Sequence, residues 1–404
     1  MRSEAALRGP ALRPIRPAER SPTAARVRDE RAARRILVTL VASAGGLTLL
    51  GLVMVLSASS VSAFAEYGSS FLFFKRQVIY AVTGAVAAVT VSRVRYDVWR
   101  KAWKPLLVVT VILLCLVLHP STGTTAGGSA RWISLGPLSV QPSEMAKLVV
   151  IIAVASIMAG SMRYLADTIV WAVPLLAVVG FVSILILLQP DFGTTVVLTL
   201  TVLVMLFVAG VRLRLLALST LAFSGLGAAL VMFFDYRRTR FLAFLHPWAD
   251  PHSTGYQIIQ SLYALGSGHL FGVGLGASRQ KWMYVPNAHT DFIFAILGEE
   301  LGLIGEVAVL ALFGALLWAG IRTALRARDP FGRFLAGGIT AWFGLQALIN
   351  LGAVTGVLPI TGVPLPFISY GGSSLVMSMV GVGILWSIAR TTSPSPAAGR
   401  AGRS

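Results

Sequence analysis

The sequence has little charge: 12% of its 404 residues are Asp, Glu, Lys or Arg, about half the share usual in a soluble domain. Its single cysteine, Cys115, excludes an intrachain disulfide. With one thiol, five histidines and no Cys/His cluster, a structural zinc site is not expected. The glycines at 266, 268, 272, 274 and 276 are not followed by Gly-Lys-Ser/Thr, so they do not form a nucleotide-phosphate loop. No cleavable signal peptide is recognisable. The first apolar run, Ile36 to Leu56, follows a long polar tail and suits an uncleaved membrane span.

What the chain has in quantity is apolar sequence, 56% hydrophobic by residue. A bilayer span needs about 20 mostly apolar residues, and ten stretches qualify, near 36–56, 72–92, 105–118, 145–160, 169–188, 194–210, 213–234, 291–320, 334–357 and 374–390. The prediction is an all-α integral membrane protein of about ten transmembrane helices. Residues 1–35 read as a disordered basic tail, 36–390 as the membrane domain and 391–404 as a second tail.

The net charge of +18 does not point to nucleic acid, because of where the charge lies. Ten Arg against four acids fall in the first 35 residues, which suits an inside tail touching anionic headgroups. With ten spans both termini are expected in the cytoplasm, and that topology puts 25 of the 34 Lys and Arg inside. Nine of the 16 acids fall on the outer half, as do the long polar segments 119–144 and 235–290. The second of these, between spans 7 and 8, carries Trp248, Tyr256, Tyr263, Trp282 and Tyr284 and is expected to fold onto the membrane surface. Loops of this length are usually functional, so the working side is expected outside.

Four segments could carry chemistry there. Asp291 stands where the large loop enters a span, and a helix running on from it would set Glu299 and Glu306 about 80° and 60° away. Gly298, Gly302 and Gly305 would lie within about 40° of the same direction, a stripe that admits a close neighbour. Asp291 could be a helix cap or a reacting group, while the deeper Glu299, Glu300 and Glu306 suggest pairing with Lys or Arg. A second segment holds Arg131 and Trp132, then Ser143 as a candidate N-cap with Glu144 and Lys147 on one helix face. The last two could pair locally, or Lys147 and Arg131 could bind a phosphate. The large loop offers Arg237, Arg238, Arg240, Arg279 and Lys281 for headgroups or a pyrophosphate, and Gln257, Gln260 and Ser261 for sugar hydroxyls. Finally, Pro359, Pro364 and Pro366 forbid a regular helix just before Ser369, Gly371, Gly372 and Ser373, so this stretch is expected to line a cavity.

Taken together, the stretches ARWI, QPSEMAKL, QPDFGTT, GYQIIQSLYALGSG, NAHTDFIFAILGEELGLIGE and LPFISYGGSS closely resemble the SEDS family (shape, elongation, division and sporulation). They lie between about 130 and 374. The AHTDFIF form and the Arg-rich tail resemble the division branch more than the elongation branch. The resemblance implies a peptidoglycan glycosyltransferase that polymerises lipid II onto a polyprenyl-pyrophosphate-linked glycan. It implies a class B penicillin-binding transpeptidase and other division proteins as partners, and the bacterial cytoplasmic membrane at the septum as the location.

By the same resemblance Asp291 is the essential acid, expected to act as general base with inversion at the anomeric carbon. Arg131, Trp132, Glu144, Lys147, Arg240, Gln257, Gln260, Arg279, Lys281, His289, Ser369, Gly371, Gly372 and Ser373 are the expected substrate contacts. The family's two-arginine stretch has Ala130 in place of one Arg, so a two-arginine clamp is not expected. A divalent cation, Mg or Mn, would be compatible with a pyrophosphate leaving group. A lipid II flippase and a non-catalytic division scaffold are the alternative readings.

Overall fold

The computed structural model describes residues 22–119, 123–126, 129–136, 138–162, 168–233, 235–282, 284–285 and 288–391. The tail before residue 22, the segment after 391 and positions such as Arg163 and Asn287 lie outside the described residues, and so does the side chain of Arg237. Twelve α-helices are described: α1 (Pro22–Tyr67), α2 (Leu72–Arg93), α3 (Asp97–Leu118), α4 (Pro142–Gly160), α5 (Thr168–Leu188), α6 (Phe192–Val208), α7 (Leu213–Phe233), α8 (Asp235–Leu245), α9 (Tyr256–Ser267), α10 (Ile293–Arg326), α11 (Pro330–Val354) and α12 (Gly372–Thr391). Eight are long and apolar enough to cross a membrane, and two shorter apolar helices, Phe192–Val208 and Leu213–Ala229, stand at the sixth and seventh expected spans. The chain is a multi-pass helical membrane protein.

Contacts between helices fix their relative directions. Ser57 Oγ of α1 donates to Glu300 Oε1 of α10 at 2.6 Å, and a Cβ on Gly46 would lie 3.4 Å from Leu312. As the α1 number falls the α10 number rises, so the two helices run antiparallel. Between α2 and α12 a Cβ on Gly372 would meet Tyr80, one on Gly84 would meet Met379, and one on Gly383 would meet Ala88. Both numbers rise together, so these helices are parallel.

Three expectations need correction. The segment 119–141 is not simply a polar loop: Gly123–Ala126 (β1), Ser129–Leu135 (β2) and Leu138–Val140 (β3) form an antiparallel sheet in the order β1-β2-β3. Trp132 sits opposite Thr124, and Ser134 opposite Ser139. The first helix begins at Pro22, so residues 22–35 continue it instead of belonging to an unstructured tail. Ser143 is not the N-cap of α4. Gln141 holds that place in an extended conformation with Pro142 at the first helical position, where proline's fixed φ fits and its missing N–H costs nothing.

The largest departure lies in α10. Its 34 residues would make a rod of about 51 Å, longer than a bilayer with its headgroups. The helix is broken at Gly302, where φ is 64° and ψ is −166°, so the wheel drawn from Asp291 does not carry through to Glu306. Peptide groups around the break are paired with the segment after α9. Leu303 N donates to His269 O at 2.9 Å, and Val273 N donates to Glu299 O at 2.9 Å. Such pairing is what irregular backbone inside a membrane domain requires. A Cβ on Gly302 would lie 2.4 Å from Gly272 N, so this crossing needs glycine both for its φ and for its lack of bulk.

Candidate active site

At one end of the bundle the segments around 77–80, 129–143, 189–194, 289–291 and 359–373 converge. Gln77 Nε2 donates to Ser369 O at 3.2 Å. Gln141 N donates to Ser373 Oγ at 2.9 Å, and Tyr80 Oη donates to Ser139 O at 3.2 Å.

Asp291 stands in this junction. The N-cap of α10 is Phe292, with no side-chain cap, so Asp291 precedes the helix and does not cap it. Its main chain is held tightly. Asn350, buried on α11, donates through Nδ2 to both Asp291 O and Val363 O, each at 2.8 Å. Two residues earlier, His289 O accepts from Tyr370 N at 2.9 Å, and the His289 ring stacks on Phe73 at 4.9 Å. Burial lowers the His289 pKa to about 4, which leaves the imidazole neutral near pH 7.

The Asp291 carboxylate itself is partly buried and accepts no hydrogen bond among the described residues. Gly362 approaches it: a Cβ there would lie 3.5 Å from Oδ2. Withdrawal from water pushes its pKa up to about 6; Arg240 and then Arg131 pull it down, while Asp191 pushes it up. An accessible carboxylate with a pKa near the working pH is a competent general base.

Asp191 caps α6, accepting from Thr194 N at 3.2 Å and Thr194 Oγ1 at 2.9 Å. It also accepts from Ser143 Oγ at 3.2 Å and Gln141 Nε2 at 3.3 Å. Arg131 Nη1 lies 4.0 Å from it. Arg131 is further fastened by donating to Gln189 O at 3.1 Å and to Pro190 O. Its side chain remains 27% exposed.

Other expected contacts sit elsewhere. Lys147 and Glu144 are each 1% exposed and pair at 2.9 Å. Lys147 Nζ also donates to Gln346 Oε1 at 2.7 Å and stands 5.2 Å from the centre of the Trp342 ring. Gln346 accepts from Trp342 Nε1 at 2.7 Å and donates to Pro364 O at 2.9 Å. This cluster joins α4, α11 and the proline-rich segment, and its ammonium is engaged by Glu144 and Gln346. Lys281 is likewise buried, 3.6 Å from Glu300 and donating to Gly276 O. Glu299 accepts from Arg279 N at 2.9 Å and from Ser278 Oγ. The expected pairing of acid with base thus holds for Glu300, whereas Glu299 is satisfied by N–H and hydroxyl donors.

Ser369 Oγ accepts from Leu365 N at 2.8 Å. Gly371 and Gly372 are buried, with Gly372 against Tyr80. Ser373 bonds the ribbon between β3 and α4. These residues knit the junction together. Gln257, Gln260 and Trp132 are partly buried, while Arg240 and Arg279 are exposed. The geometry therefore gathers Asp291, Arg131 and the field of Arg240, and leaves Lys147 and Lys281 in separate buried pairs. Sequence reasoning missed Asp191, Gln346 and Asn350. Polar residues at 346 and 350, one turn apart in an apolar helix, were the available signal. No group of three or more His, Cys, Asp or Glu among the described residues could hold a metal ion.

The family model described as Cell cycle protein, covering FtsW, RodA and SpoVE, matches residues 37–394. Stage V sporulation protein E of Bacillus subtilis (strain 168) is 45% identical over 356 residues, covering 88% of this chain and 96% of that protein. The Probable peptidoglycan glycosyltransferase FtsW of Geobacter metallireducens is 44% identical over 351 residues, covering 87% and 93%. A chain from a solved peptidoglycan synthase complex, described as coordinating polymerization and crosslinking, superposes with a TM-score of 0.73 at 32% identity, covering 88% of this chain and 98% of that one. With these matches spanning nearly the whole membrane domain, the chain belongs to the SEDS family of FtsW, RodA and SpoVE proteins.

Proposed function

We propose that this protein polymerises lipid II into glycan strands at the outer face of the cytoplasmic membrane, with Asp291 as the base. The enzyme class follows from the family: relatives matching most of the chain are named peptidoglycan glycosyltransferases. The observation that carries the chemical assignment is the Asp291 carboxylate, held by its backbone, left without a hydrogen-bond donor among the described residues and poised near pH 6.

In this reading the donor is a glycan on a polyprenyl pyrophosphate and the acceptor is a sugar hydroxyl of lipid II. The hydroxyl oxygen attacks the anomeric carbon as Asp291 takes its proton. The bond from that carbon to the pyrophosphate oxygen breaks, and the pyrophosphate leaves with the electron pair. One base and direct displacement give inversion without a covalent intermediate. Arg131 and Arg240 supply positive field for the departing charge. Neutral His289, packed between Phe73 and Tyr370, shapes the wall beside the base.

The cytoplasmic N-terminus rests on the distribution of Lys and Arg; the helix directions, antiparallel for α1 and α10 and parallel for α2 and α12, fit the order of the spans. A class B penicillin-binding transpeptidase is the partner this reading assigns, by analogy with the synthase complex; other division proteins and a septal location complete it. Purified protein given lipid II in detergent should yield glycan polymer. Movement of lipid II across a vesicle bilayer without polymer, by protein shown to be folded, would instead establish a flippase. Neither activity from folded protein, with or without the transpeptidase, would leave a scaffold.

A further inference from the structure

At the end of the bundle opposite Asp291, α1 carries Arg31, Arg34, Arg35, Val38 and Thr39 on one face, at the spacing of successive helical turns. Ala33, Ile36 and Leu40 on another face of the same helix are buried. Together with Trp318 of α10, those five residues line a crevice of about 420 Å³. That volume is within the range that holds small ligands. Arg322, one turn further along α10, places its guanidinium carbon 5.7 Å from the centre of the Trp318 ring. No ion pair among the described residues engages Arg31, Arg34 or Arg35.

The depth of the crevice is set by the helix. From Glu66, near the far end of α1, to Arg35 is about 46 Å of helix, close to the full thickness of a bilayer with its headgroups. The arginines therefore reach the opposite headgroup layer, and Val38 and Trp318 border the hydrocarbon below them. Trp318 is 44% and Val38 58% exposed, so the crevice opens sideways where a lipid can enter.

The geometry points to a binding site for the phosphate headgroup of an anionic phospholipid of the inner leaflet, clamped between α1 and α10. The guanidinium groups hold the phosphate, Trp318 lies at the headgroup boundary, and the acyl chains run down past Val38. A free phosphate would use the cations but gain nothing from the apolar lower wall, and that is why a lipid is favoured. The inner-leaflet assignment rests on the N-terminal orientation proposed above. Headgroup selectivity in detergent does not depend on that orientation or on catalysis.

The test is native mass spectrometry of the full-length protein in detergent, with dioleoylphosphatidylglycerol, dioleoylphosphatidylcholine or inorganic phosphate added. Phosphatidylglycerol adducts should dominate and should survive millimolar phosphate. The Arg34→Gln/Arg35→Gln variant should bind phosphatidylglycerol about thirtyfold more weakly, the loss expected for two arginines at a charged surface. Arg212→Gln/Arg214→Gln removes equal charge from the exposed residues at the start of α7 and should leave binding unchanged. Equal binding of the two lipids, equal loss in both variants, or displacement by inorganic phosphate would overturn the site. Should the first variant not fold, a photoreactive phosphatidylglycerol on the wild type decides. Labelling concentrated in 31–39 and around Trp318 supports the site, and even labelling along the helices refutes it.

Discussion

Acidification is the perturbation that probes Asp291 most specifically. With the pKa raised from 3.8 to about 6, roughly 90% of the carboxylate is ionised at pH 7 and roughly 10% at pH 5. If the ionised form is the base, kcat/KM for lipid II polymerisation should fall about tenfold between those values and about tenfold per unit below. A carboxylate at its ordinary pKa would lose only a few per cent over the same span. Arg240 is the larger of the two cationic influences that lower this pKa. Arg240→Gln should therefore move the acid limb to higher pH, beyond any loss of rate at the plateau.

The same shift affects stability. A raised folded-state pKa favours the fold in full below the unfolded value, near 3.8, and that contribution is lost as pH rises through about 6. Asp291→Asn should thus gain thermal stability relative to wild type across pH 4–6, by at most about 3 kcal/mol and less for the exposed share of the carboxylate. The assay is fluorescent lipid II polymerisation from pH 4.5 to 8, with a check that the protein stays folded. A rate unchanged from pH 7 to 5 would refute the reasoning.

Other substitutions probe the scaffold around the base. Gly302→Ala should cost at least about 3 kcal/mol, read as a lower thermal midpoint in detergent, because a Cβ would strike the backbone of the crossing segment at a φ of 64°. Lys147→Met should cost about 3–5 kcal/mol by leaving Glu144 buried without its cation, and Glu144→Gln/Lys147→Met should recover much of that loss in a double-mutant cycle. Asn350→Ala frees Asp291 O and Val363 O, so kcat should drop about tenfold or more with little change in KM and the acid limb should shift; a change confined to thermal stability would show a purely structural role.

Eight long apolar helices were legible because each contains a continuous run of apolar residues, and the Glu144–Lys147 pair because its spacing of three places both on one helix face. The break at Gly302 was not. In sequence GEELGLIGE reads as a stripe of small residues, and only the docking of 268–274 against it shows why a positive φ is required. Lys281 and Glu300 are separated by a turn-rich segment, so nothing local predicted their contact. The β1–β3 sheet escaped notice because its short strands are defined by cross-strand partners, not by a strong alternation of their own. Asp291 was legible through the family resemblance, whereas its freedom from any cap depends on where α10 begins. Asn350 shows the limit most plainly. One polar residue in an apolar helix signals a partner, but not that the partners are the carbonyls beside the base.

The central claim, that Asp291 removes the acceptor's proton, is tested most directly by purified wild type and Asp291→Asn with lipid II and the transpeptidase present. Because Asp291 caps no helix and accepts no hydrogen bond among the described residues, Asp291→Asn should fold normally. Polymer from the wild type and none above background from the folded variant is the predicted result. Equal polymer from both would contradict the account and move the base elsewhere in the junction.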